Sequence, residues 1–166
     1  MNENDTTPSP PRVVFRTMQK VFFGLCGSMV LLIIIALVVN QVRGAMIPGI
    51  NEYRMIVIVG LVIFSIIMLL LARRKLEAAI TEANQPGAVG SPLKDRLGKL
   101  MGGMLISLAL CEGPIVFSIL LFMWSGKFEY LVFGAVLLGY MLSMVPTKKK
   151  VVSMLQLNSQ EERELG

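Results

Sequence analysis

Four stretches of this chain are almost free of charge. Val21 to Val42 and Met55 to Ala72 carry no charged residue, Leu100 to Gly126 carries only Glu112, and Tyr130 to Val145 carries none. A helix rises about 1.5 Å per residue, so roughly 20 mainly apolar residues cross a hydrocarbon core about 30 Å thick. Lipid offers no water to pair backbone N–H and C=O groups, and each crossing must therefore be helical. The runs predict an all-α, polytopic membrane protein with four transmembrane helices, over residues 21–42, 55–72, 100–125 and 128–146. Together they form a domain of residues 21–147 built from two helical hairpins. The fourth run is the shortest. Phe128 before it and Pro146 and Thr147 after it lengthen the span, and tilt or local bilayer thinning covers the rest.

Arg12, Arg16 and Lys20 precede the first run, which gives it the outline of a secretory signal. The run is about twice as long as a typical signal core and ends in "VVNQVRGAM", without a clear small-residue cleavage site, so an uncleaved helix is expected. Charge then sets an orientation. All but three of the 16 Lys and Arg lie before the first run, between the second and third, or after the fourth; the exceptions are Arg43, Arg54 and Lys127. The positive-inside rule places both termini and the 73–99 loop in the cytoplasm, with the chain multi-pass in a cell membrane, most simply a bacterial cytoplasmic membrane. The net charge of +5 then reports topology and attraction to anionic lipid headgroups, and gives no reason to expect nucleic-acid binding.

The extramembrane parts are short. Residues 1–20 read as a disordered basic tail, polar and proline-rich at its start. "RRKLEAAITEAN" continues the second helix into the cytoplasm, with Leu76 and Ile80 one turn apart, and "QPGAVGSP" stops it. "LKDRLGKL" leads into the third span with Leu93, Leu97 and Leu100 on one face. Residues 148–166 form a basic then acidic cytoplasmic tail, in which Ser159 and Glu162 fit a capping box. It reads as an amphipathic piece at the membrane edge or as a docking segment for a partner.

Catalytic constellations are missing. There is no histidine, the two cysteines (Cys26 and Cys111) fall inside apolar runs, and no nucleotide-binding glycine motif occurs, so neither enzyme activity nor a metal or other cofactor is expected. Small residues instead suggest packing faces. Gly103, Ser107, Cys111, Pro114 and Ser118 make one stripe on the third span, and Ala135, Gly139 and Ser143 recur every fourth residue on the fourth. Such faces could also serve a homo-oligomer or a place in a membrane complex.

Glu112 is the exception in the third span. A charged carboxylate at mid-membrane costs at least ~2.5 to 3.5 kcal/mol, and no Lys, Arg or His lies in another span to pair with it. The neutral, protonated carboxyl is the cheaper form there, and it can donate one hydrogen bond. Counting both ways from the turn near Gly126 puts Tyr140 at the level of Glu112 and makes it the first-choice partner, with Ser28 and Ser65 as further candidates. Pro114 has no N–H and leaves the Leu110 carbonyl without its helical donor. A carboxyl one turn from a freed carbonyl at a helix break is a sensible place for a proton, a Na⁺ or a water.

"GGMLISLALCEGPIVFSILLFM" resembles the carboxylate-bearing helix of rotary ATPase proteolipid subunits, in which small residues lead to a single mid-membrane Glu. That resemblance implies proton or cation handling by Glu112. It departs from the pattern in three ways: Glu112 is in the third span and not the last, Pro114 has no counterpart, and the first two spans lack a glycine-repeat packing helix. "EGP" in the third span and "VPTKKK" after the fourth resemble small uncharacterised bacterial four-helix membrane proteins, which implies no activity. The expected function is a proton- or cation-responsive transport or coupling subunit. The alternative is a non-catalytic structural or assembly protein whose protonated Glu112 bonds neighbouring helices.

Overall fold

The structure, a computed structural model, describes residues 11–85 and 92–165. Residues 1–10 of the expected tail and most of the "QPGAVGSP" stop lie outside the described residues. Among those described, every regular element is helical: α1 (Pro11–Arg43), a 3-10 segment (Pro48–Tyr53), α2 (Arg54–Ala83), α3 (Leu93–Ser125), α4 (Phe128–Ser143), α5 (Lys148–Leu155) and α6 (Ser159–Glu164). Helices α1, α2 and α3 are long and apolar enough to cross a membrane. The count reaches four if α4 and α5, bent by 66° across a short break, belong to one span. Such a set of apolar helices in one bundle is that of a multi-pass membrane protein.

Contacts at the two ends give the helix directions. At one end Met46 N–H and Ile47 N–H, just beyond α1, donate to the Met123 and Trp124 carbonyls at 3.3 and 2.8 Å. These bonds satisfy carbonyls that the last turn of α3 would leave unpaired. Arg54 at the start of α2 meets Glu129 at the start of α4, 2.6 Å apart. At the other end Gln19 Nε2 donates to the Pro146 carbonyl at 3.0 Å, tying early α1 to the exit of α4. Consecutive long helices therefore alternate in direction. The second end holds most of the Lys and Arg and is called the basic end below.

Local chemistry explains the boundaries. Gly44 ends α1 and Gly126 ends α3 with φ of 73° and 69°, a left-handed conformation that glycine adopts without strain, and their N–H groups close on the Asn40 and Phe122 carbonyls. Residues 11–20 are helical, in contrast to the disordered tail expected to reach residue 20. Phe15, Met18, Phe22, Cys26 and Met29 are buried at helical spacing, so the amphipathic stripe starts before the charge-free run does. The capping box also shifts by one residue. Asn158, not Ser159, accepts from Gln160 N–H and Glu161 N–H, while Glu161 accepts from Asn158 N–H.

Helix α3 is the core of the bundle. Half of its most apolar stretch is buried, against 22% for α1 and 17% for α2, and α1, α2 and α4 all pack on it. The stripe predicted on α3 is the packing face: Ser107, Cys111, Pro114 and Ser118 are buried, and a Cβ on Gly103 would lie 2.1 Å from Ala79 Cβ of α2. The stripe predicted on α4 is not. Ala135, Gly139 and Ser143 face outward, while Leu131, Gly134, Leu138 and Met141 are buried. A Cβ on Gly134 would come 2.4 Å from Ser118 Oγ, and Ser118 Oγ donates to the Tyr130 carbonyl at 2.7 Å. These close approaches, one position away from the predicted stripe, set the rotation of α4.

The C-terminal tail folds back on the basic end of its own chain. Val151, Leu155 and Leu165 are buried, and Arg96, only 2% exposed, fastens the tail from inside. Its Nε donates to the Ala83 carbonyl at 3.1 Å, Nη1 to Glu161 at 3.0 Å, and Nη2 to Asn84 Oδ1 at 3.1 Å and to the Leu155 carbonyl. Asn84 in turn donates to the Met154 carbonyl at 2.7 Å. One guanidinium thus joins the end of α2, the start of α3, α5 and α6. A buried charge is tolerable here because its donors are spread over fixed acceptors, one of them a carboxylate.

Gly103→Ala should destabilise the protein by about 1–3 kcal/mol through overpacking, whereas Gly139→Ala, with nothing within 4 Å of the new methyl group, should stay within about 0.5 kcal/mol. Unfolding in mixed detergent compares the two; equal losses would contradict the orientation of α4. Arg96→Met should cost on the order of 3 kcal/mol and raise hydrogen exchange across 148–165. Arg96→Lys should rescue little, because an ammonium cannot span this set of acceptors.

Candidate functional site

Glu112 lies on the edge of α3 between two chemically different faces. On one side are the buried residues Cys111 and Ile115; on the other, Ile106, Ala109, Gly113, Phe117 and Leu120 are exposed along the helix. Helix α2 packs on α3 and flanks that outer face without covering it. A shallow groove of about 390 Å³ lies there, lined by Phe64 of α2 with Ala109, Glu112, Gly113, Val116, Phe117 and Leu120 of α3. Phe64 and Phe117 meet edge-on across it, ring centres 5.9 Å apart.

The carboxyl is half-buried, and its Oε1 is fully covered yet has no hydrogen-bond partner. An unpaired buried oxygen costs about 1–3 kcal/mol, more when charged. The arrangement therefore favours a state in which a proton or a cation lies against the carboxyl.

The structure does not assemble the other predicted members around Glu112. Tyr140 is 42% exposed and turned away from the bundle. Glu77, which accepts a 2.8 Å hydrogen bond from Arg73, pushes that guanidinium up, and the Tyr140 phenol adds a smaller contribution of the same sign. The exposed phenol of Tyr140 makes no hydrogen bond to Glu112. The hairpin count estimated depth but not direction, and packing at Gly134 and Met141 turns the neighbouring Tyr140 outward. Ser28 is exposed and donates to the Leu25 carbonyl of its own helix; Ser65 is buried and does the same to Leu61, both at 2.7 Å. Neither reaches Glu112.

Pro114 is buried within α3, which runs as one helix from Leu93 to Ser125. The expected helix break is therefore a proline inside a continuous helix, and the Leu110 carbonyl lacks only the N–H that Pro114 cannot supply. Gly113 opens toward the groove with nothing within 4 Å of a Cβ placed there. Ser107, two turns before Pro114 on the packing face, is wholly buried with an unpartnered hydroxyl.

Two residues of consequence escaped sequence reasoning. Tyr130, 2% exposed, is the tyrosine that α4 buries. Arg96 shares a helical face with Leu93, Leu97 and Leu100, and that spacing was a legible sign that the arginine would be buried with them. Among the described residues no cluster of three or more His, Cys, Asp or Glu could hold a metal ion. The chain matches no protein-family model, no curated protein and no solved structure.

Tyr140→Phe should leave stability within about 0.5 kcal/mol of the parent and leave the pH dependence of Glu112 labelling unchanged. A loss above 1 kcal/mol in detergent unfolding would restore a role for the phenol inside the bundle.

Proposed function

We propose that the chain crosses the membrane four times with both termini in the cytoplasm, and that Glu112 is a proton- or cation-responsive group serving transport or coupling, alone or within a membrane complex. Four crossings are supported by the antiparallel run of α4 from the Arg54–Glu129 end to the Gln19–Pro146 end. Its 16 helical residues cover about 24 Å, and Met144 to Pro146 add the remainder. The orientation rests on the positive-inside rule applied to the basic end.

The observation that carries the functional reading is the covered, unpartnered Oε1 of Glu112 beside an open groove. A carboxyl buried for structure alone normally finds a bond within its own chain, since an unmade one is costly in hydrocarbon. Here one oxygen has none, and the other side of the group is reachable. Exchange of a proton for a cation, or release of a proton, would use both features. The alternative, Glu112 as a bond between helices, would need its partner from a second copy or another subunit.

A hydrophobic carbodiimide, which reacts with the protonated carboxyl, tests the reading in proteoliposomes. Labelling at Glu112 should fall as pH rises and should be reduced further by added Na⁺ or K⁺ if a cation replaces the proton; Glu112→Gln should abolish it while the protein stays folded. Labelling that is flat across pH and indifferent to both cations would remove the ion-handling role. For topology, a cysteine replacing Glu164 should react with an impermeant maleimide only after the membrane is opened, and one replacing Glu52 before. The reverse pattern would invert the orientation.

A further inference from the structure

At the basic end, away from Glu112, the helices leave a second space. Leu76 of α2, Leu100 and Met104 of α3, Met144 beyond α4, and Val151 and Met154 of α5 surround a partly enclosed cavity of about 140 Å³. It exists because the chain turns by 66° between α4 and α5, so α5 roofs the gap between α2, α3 and α4 without filling it. An apolar void of about 150 Å³ stays dry and accepts a guest the size of a six-carbon ring, so this one suits a stretch of hydrocarbon and not water.

Its rim is cationic. Lys150 and Ser143 line the opening, and Lys150 Nζ donates to the Ser143 carbonyl, which leaves two of the three ammonium protons free. Lys148 and Lys149 precede it in sequence, and Arg73, Arg74 and Lys75 lie in the turn of α2 just before Leu76. The nearest carboxylate along α2, Glu77, is engaged with Arg73 at 2.8 Å. An apolar slot with an ammonium at its mouth, where the apolar helices give way to basic residues, matches one kind of molecule: acyl chain inside, negative headgroup at the rim.

We propose that this cavity is a binding site for an anionic phospholipid, with part of one acyl chain between α3 and α5 and the headgroup phosphate on Lys150. The site is independent of Glu112 and of any ion it handles. It goes beyond general attraction of a basic surface to anionic lipid, because it assigns one lysine and one cavity. A bound chain would also brace α5, whose Val151 and Leu155 anchor the tail that Arg96 holds.

Native mass spectrometry of the full chain, released from nanodiscs of equal phosphatidylglycerol and phosphatidylcholine with matched chains, tests the proposal. The parent protein should retain phosphatidylglycerol several-fold over phosphatidylcholine. Lys150→Gln should reduce that preference at least threefold, whereas Lys94→Gln, which removes a charge at the same end outside the cavity lining, should not. Met154→Phe should reduce retention of both lipids by filling the slot; if it fails to fold, Leu76→Phe makes the same test from α2. Equal retention by the parent, or equal effects of the two lysine substitutions, would reduce the interaction to surface charge and overturn the assignment. A free fatty acid of matched length that displaces phosphatidylglycerol at equal concentration would assign the site to fatty acids instead.

Discussion

At Gly103 the backbone of α3 comes so near α2 that a methyl group would meet Ala79 Cβ at 2.1 Å, and at Gly134 of α4 one would meet Ser118 Oγ of α3 at 2.4 Å. Between apolar helices in lipid there is no hydrophobic force to spend, because acyl chains are as apolar as leucine. Close van der Waals approach and interhelical hydrogen bonds have to hold the bundle. The Ser118 to Tyr130 bond sits at one of these approaches. The two contacts hold α2 and α4 against α3, and the second sets the rotation that turns Tyr140 outward.

The two ends of the bundle are finished differently. At the end near Gly126, backbone bonds from Met46 and Ile47 to α3 and the exposed Arg54–Glu129 pair join the elements; an exposed pair of this kind contributes at most about 1 kcal/mol. At the basic end Arg96 is buried and bonded to four partners on three other segments. Removal of a buried, multiply bonded charge strands several acceptors at once. The tail is therefore part of the folded structure and not an appendage, and α5 is positioned to roof the cavity beneath it.

Glu112 and Arg96 contrast instructively. Both are ionisable groups on the core helix, but Arg96 has partners for its polar atoms and the covered Oε1 of Glu112 has none. Low dielectric surroundings make a satisfied group a fastener and an unsatisfied one costly. Glu112 has no bonded partner at Oε1 and a groove beside it, and the ion-handling role proposed for it rests on that difference. Its placement also explains why Tyr140, Ser28 and Ser65 are dispensable to it: each either faces away or bonds its own helix.

Charge-free length alone determined that the chain is helical and membrane-embedded, because lipid cannot pair an exposed backbone and so leaves the chain little choice. The buried stripe of α3 was legible for a related reason: small residues at helical spacing permit close approach, and the core helix uses them. The same signal misled on α4, where Ala135, Gly139 and Ser143 form a regular stripe that faces outward. Spacing reveals which residues share a face, but which face turns inward depends on the neighbour, and only the fit of Gly134 against Ser118 decided it. Likewise the rarity of Glu112 was visible in the sequence, while its lack of a partner was not. Whether a side chain is paired depends on groups brought together from distant positions, as Arg96, Asn84, Leu155 and Glu161 are at the basic end, and that meeting belongs to the tertiary structure.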